Sequence, residues 1–138
     1  MTRRILFAIP LAAWCRAAEG SRAVREAITD AAASLSAGDA GAFLKAFDPR
    51  MPGYAKLREN VTALVAQGEL HSFIDPLEEE GDERRRVAEF DWTLRIHRSP
   101  GSASYTSRQR VVKCTLEKQG RNWRIVGLEP MEFFAPGN

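Results

Sequence analysis

Between Val87 and Arg98 the chain reads VAEFDWTLRIHR, with Phe90, Trp92, Leu94 and Ile96 alternating with Asp91, Thr93, Arg95 and His97. A period of two marks a β-strand with one buried and one wet face. The same period holds over the rest of the second half. Gly81-Asp82 predicts a two-residue hairpin between strands Glu69–Glu80 and Glu83–Arg98. Pro100-Gly101 leads into a third strand, about Ser104–Lys118, and Gln119-Gly120 turns it into a fourth, Arg121–Glu129, which Pro130 closes.

The first half repeats instead at three and four residues. Ser21 caps a predicted helix carrying Val24, Ala27, Ile28, Ala31 and Leu35, and Gly38 ends it. Asp39 caps a short second helix with Phe43, Leu44 and Phe47 on one face, stopped by Asp48-Pro49. A third helix is predicted from Pro52 to Gln67, with Tyr54, Leu57, Val61, Leu64 and Val65 as its stripe and Gly68 as its C-terminal cap.

These hairpins predict rows of neighbouring side chains across the sheet. One row is Phe73, Phe90, Val112 and Gly127; others are Asp75, Ala88, Cys114, Ile125 and Leu77, Arg86, Leu116, Trp123. At the tip Glu79 is expected opposite Arg84 and Glu78 opposite Arg85, a solvated ion ladder. The mostly apolar face must lie under the helices, which makes the domain α+β, three helices packed on a curved four-stranded antiparallel meander.

On that face one row is polar: His71, Trp92, Arg110 and Glu129. With strands about 4.8 Å apart, Arg110 and Glu129 are expected to pair and His71 to lie beside the indole, at the open end where a ligand cavity forms. Tyr54 and Phe90 complete the predicted apolar wall of a small-molecule site. The bland alternative is a rim ion pair and a satisfied imidazole. On the opposite face Val111, Val126 and Leu128 sit among polar side chains, either as plain solvent surface or as the candidate centre of a homodimer interface.

Other chemistry is thinly represented. His71 and Asp75 stand about 13 Å apart on one strand, and Asp91 and His97 about 20 Å, too far for a hydrogen-bonded dyad. The sequence contains no phosphate loop, nucleophile elbow or metal-ligand spacing, so no cofactor and no metal are expected. Cys114 falls on an apolar strand face, where an inert buried thiol is expected.

Charge changes the picture at the N-terminus. The chain of 138 residues is 44% apolar and 28% charged, enough for one domain with a core. Its formal charge of +2 depends on Arg3, Arg4 and Arg16; without these three, 17 basic side chains face 18 acidic ones. That near-balance argues against a nucleic-acid partner. Met1–Ala18 has the layout of an export signal: Arg3 and Arg4, an apolar Ile5–Trp14, then small residues. The expectation is a signal peptide over 1–18, a single domain over 19–138, and a periplasmic or secreted product. The apolar run is too short for a stable membrane span, and bulky Trp14 argues against a lipid anchor at Cys15.

Two stretches, LSAGDAGAFLKAF (Leu35–Phe47) and NWRIVGLEPMEFFAP (Asn122–Pro136), resemble the NTF2-like, or SnoaL-like, superfamily. There the first joins the opening helices and the second is the last strand with an aromatic tail closing a cone. The resemblance covers about Ser21–Pro136, and Asp48–Gly53 is too short for the strand pair often found between the second and third helices. It implies a conical cavity and frequent dimers through the sheet. Its first functional implication is a non-catalytic domain binding a small amphiphilic or anionic ligand, forming a dimer, or both. An isomerase or lyase is the alternative, with His71 or Glu129 moving a proton and Arg110 stabilising an oxyanion. A protein-interaction module is the third. The lining does not match the superfamily's enzymes residue by residue.

Overall fold

In the computed structural model residues 11–99, 101 and 103–137 are described, with side chains from residue 19 onward. The export-signal and Cys15 readings fall on residues 1–10 and the side chains of 11–18, outside that range.

Three helices precede four strands: α1 (Leu11–Ser36), α2 (Ala40–Leu44), α3 (Tyr54–Ala66), β1 (Glu69–Gly81), β2 (Arg85–His97), β3 (Thr106–Gln119) and β4 (Asn122–Glu129), followed by a 3₁₀ turn, Met131–Phe134. The predicted stripes are the buried ones: Val24, Ile28 and Leu35 on α1, Leu57, Val61 and Leu64 on α3, all inaccessible to solvent. Asp39 caps α2, its Oδ1 accepting from the Ala42 amide at 2.9 Å. Ser21 does not start a helix, because α1 is already under way; its hydroxyl donates to Glu79 Oε1 and accepts from Arg25. The third helix is shorter than predicted, and Gly68 serves a different purpose. A Cβ there would lie 2.2 Å from the His97 carbonyl oxygen, so glycine lets the start of β1 approach the end of β2.

The strands form an antiparallel sheet in the order β1-β2-β3-β4. β2 and β3 pair as expected, Trp92 with Arg110, Phe90 with Val112, Ala88 with Cys114 and Arg86 with Leu116. Every even residue of β2 from Arg86 to Ile96 is buried.

β1 departs from expectation. Gly81 pairs with Arg86, leaving four residues in the connection. Asp82 organises it: its Oδ1 accepts from the amides of Arg84 and Arg85, and its own amide donates to the Arg85 carbonyl. This slip of the hairpin is even and keeps the face, but a bulge further along makes it odd, so the part of β1 before the bulge turns over. Leu70, Ser72 and Ile74 face inward, while His71 and Phe73 face out. Phe73 therefore pairs with Thr93 rather than Phe90, Asp75 with Asp91, and the expected Glu79–Arg84 and Glu78–Arg85 ladder is not formed. A bulge sets Leu77 and Glu78 against Glu89 alone. It brings Glu79 inward opposite Ala88, where it accepts from the buried Arg86 Nε at 2.6 Å.

β4 slips by two residues at its hairpin, where Gln119 pairs with Asn122, which leaves Trp123 and Ile125 on the inner face. A second bulge at Val126 then changes the register, so Gly127 lies opposite Thr115 and Leu128 opposite Cys114. Leu128 is thus buried, 5% exposed, and not an outer-face residue.

The Gly68 contact supplies a test. Gly68→Ala should lower stability by about 1–3 kcal/mol, within the range of destabilising point substitutions, read from urea unfolding followed by circular dichroism.

Candidate functional site: the cone and the outer face of the sheet

The cone enclosed by helices and sheet is filled with aromatic rings. Phe134, inaccessible to solvent, stands edge-on to Trp92 with centroids 5.0 Å apart, 5.5 Å from Phe43 and 5.1 Å from Phe133. Phe43 in turn packs on Phe47 at 5.0 Å. The tail carrying these rings is strapped down. Arg108 Nη1 donates to the carbonyls of Phe133 and Ala135 at 2.6 and 2.7 Å, and Gln67 exchanges two hydrogen bonds with the Gly137 backbone. Burial pulls the Arg108 pKa below its ordinary value.

The six predicted lining residues do not converge. Phe90 and Trp92 lie in this core, 1% and 2% exposed, and the indole Nε1 donates to Ser72 Oγ at 2.7 Å. Ser72 takes the neighbouring place expected of His71, because β1 is turned over. His71 is exposed on the outer face, 3.8 Å from a Glu69 carboxylate oxygen and 5.2 Å from the His97 ring. Arg110 sits beyond the end of β4 and is exposed, while Glu129 lies opposite Lys113. The expected Arg110–Glu129 pair is therefore absent: β4 stops short of Arg110. Tyr54 is half-buried at the start of α3 with the Arg58 guanidinium 5.9 Å from its ring centroid.

The polar groups that are buried hold the fold together. Asp48, 6% exposed, accepts from the Arg50 side chain and amide and from Gln119 Nε2 at 2.8 Å. The Arg50 hydrogen bonds are the main reason its carboxyl titrates far below the usual carboxylate range. Burial pushes the Cys114 thiol up to about 12, so it stays protonated and unreactive at neutral pH. No cluster of three or more His, Cys, Asp or Glu is placed to hold a metal among the described residues. No described helix is long and apolar enough to cross a membrane.

The outer face of the sheet presents what the sequence reading missed. Phe73, Leu77 and Val111 are each about half exposed, at 50%, 51% and 51%. Val126, assigned to this face from the sequence, is half-buried in the bulge. Arg95 lies between two rings, its Cζ 5.3 Å from the Phe73 centroid and 5.1 Å from that of Tyr105. At the other end the β1 bulge opens a groove of about 610 Å³, lined by Leu77, Glu78, Glu80, Val87, Glu89 and Lys113.

Two measurements check this description. Phe134→Ala should cost about 3–5 kcal/mol, as for other large core truncations, seen as a lower urea midpoint. The loss caused by Asp48→Asn should be full at pH 7. A depressed folded-state pKa contributes stability above the unfolded value of about 3.9; that contribution shrinks as pH falls below it. Urea unfolding of both proteins at pH 7 and pH 2.5 should therefore show the gap narrowing in acid.

No protein-family model and no curated protein matches the chain. Solved structures do. An NTF2-like protein with a cystatin-like fold from Novosphingobium aromaticivorans superposes with a TM-score of 0.68 at 22% identity, over 86% of this chain and 84% of that one. A nuclear transport factor 2-like superfamily protein from Salmonella enterica gives 0.67 at 18% identity, over 88% and 94%. A hexachlorocyclohexane dehydrochlorinase, LinA type 2, gives 0.62 at 13%, over 78% and 81%. At these identities the likeness is one of fold, and the fold is the one the sequence resembled: this chain has the NTF2-like, cystatin-like architecture.

Proposed function

We propose that this chain is an exported, non-catalytic NTF2-like domain that acts through the outer face of its sheet, where two copies pair. The observation carrying this reading is the distribution of apolar surface. The cone, where a small ligand would sit, is occupied by Phe134 and its neighbours, whereas Phe73, Leu77 and Val111 remain half in water on a sheet face. Covering them contributes on the order of 1 kcal/mol each, and patches of this kind mark contact surfaces.

The small-molecule and enzyme readings lose their geometric support. His71 and Glu129, the groups assigned to proton transfer, are exposed on the outer face, and Arg110 faces neither. The dehydrochlorinase among the structural neighbours shares the fold, and a fold hosts many functions.

Sedimentation velocity tests the proposal. The purified protein should sediment as a dimer at micromolar concentration, and Val111→Asp should sediment as a folded monomer with an unchanged circular dichroism spectrum. A wild-type protein that stays monomeric to the highest concentration reached overturns it.

A further inference from the structure

The outer face carries an arginine towards one end, with Glu69 beside it, and a carboxylate groove towards the other. At one end is Arg95, stiffened between Phe73 and Tyr105. At the other is the bulge groove, where Glu78, Glu80 and Glu89 have no hydrogen-bond or ion-pair partner among the described residues and Lys113 is the one basic lining group. Both ends are centred on β2. Arg95 and Glu89 are about 20 Å apart along it, at roughly 3.3 Å per residue.

We propose that two copies pack face to face with strands antiparallel, so that Arg95 of each copy enters the acidic groove of the other. This rests on the reading that the outer face is where copies meet, and adds the register. A two-fold axis across the strands at the Asp91–Val111 row exchanges the two ends. Arg95, four residues to one side of that row, then lands over Glu80 and Val87, four residues to the other, with Glu89 alongside. Phe73, opposite Thr93, falls over Leu77, opposite Glu89, and Val111 meets its own copy. Apolar groups cover apolar groups, and Arg95 meets carboxylates. A two-fold axis along the strands instead leaves Arg95 over the end of the sheet where β4 has already stopped, with no acidic partner.

The cost of this register is the Asp75–Asp91 row, which faces itself. It is reduced at Asp91, where Gln109 Nε2 donates to both carboxylate oxygens at 3.0 and 2.9 Å. The area suffices. Three long strands about 4.8 Å apart and about 43 Å long present roughly 600 Å² before side-chain relief, close to the ~800 Å² per partner of a standard interface.

Charge exchange between copies tests the register, again by sedimentation velocity. Arg95→Glu alone should be monomeric, since the introduced carboxylate would face Glu80 and Glu89. Glu80→Arg/Glu89→Arg alone should also be monomeric, with arginines facing Arg95. An equimolar mixture should form a heterodimer, because both contacts are then of opposite sign. Raising salt from 50 to 500 mM should weaken the wild-type dimer at least tenfold. If both variants remain dimeric while Val111→Asp is monomeric, the register is overturned and the face survives. If the variants are monomeric and their mixture stays so, the Arg95–groove contact is overturned. If the wild type is itself monomeric, the face fails and the register with it.

Discussion

The alternation of side chains along a strand is the constraint on which this structure depends. β2 and β3 obey it without interruption, and their inward residues build the floor of the core. In β1 and β4 a single extra residue changes which half of the strand is inside. The bulge at Leu77-Glu78 turns Glu79 inward to meet Arg86, Arg25 and Ser21, tying α1 to the hairpin. The bulge at Val126 turns Leu128 inward, under the cone. Each bulge thus trades one ladder position for a side chain that the core or its polar margin uses.

The cone is closed by the same economy of shape. Trp92 needs a partner for its indole N–H and an apolar surface for its ring. Ser72 provides the first because β1 is turned over, and Phe134 provides the second. The tail bearing Phe134 has no strand to hold it. Its carbonyls are taken by Arg108, which reaches them from β3, and its end by Gln67 from the end of α3. A site built around Trp92 followed from the predicted register of the strands, but a filled interior leaves the indole a packing role.

What was legible in the sequence follows from how unambiguous each stretch is. The helices, their stripes and the β2–β3 register were legible because apolar residues recur at one period only. β1 was not. Leu70 and Ile74 on one face compete with Phe73 and Leu77 on the other, so hydrophobicity alone does not choose a face. The choice was made at the Leu77-Glu78 bulge: the four-residue loop gathered by Asp82 shifts the pairing by an even number and keeps the face, and the extra residue of the bulge then turns the rest of β1 over. With β1 misread by an odd step, His71 was placed beside Trp92 and the candidate pocket row followed from that placement. The Arg110–Glu129 pair failed for a separate reason, the even slip at Gln119–Asn122 combined with the Val126 bulge. No pattern of residue types announces a bulge in advance of its partners.

The same features decide where another protein surface can approach. A sheet offers its edges or its faces. The β1 edge is interrupted by Pro76, which has no N–H, and by the bulge beside it; further along, the Ser72 amide is already given to Ser36 Oγ at 2.8 Å. The β4 edge is covered by the chain after α2, where the Asp48 amide donates to the Ile125 carbonyl and the Ile125 amide to Ala46. Both edges are blunted, and the inner face is buried under helices and the C-terminal tail. What the outer face keeps in water is Phe73, Leu77 and Val111, each about half exposed, between an arginine towards one end and a carboxylate groove towards the other.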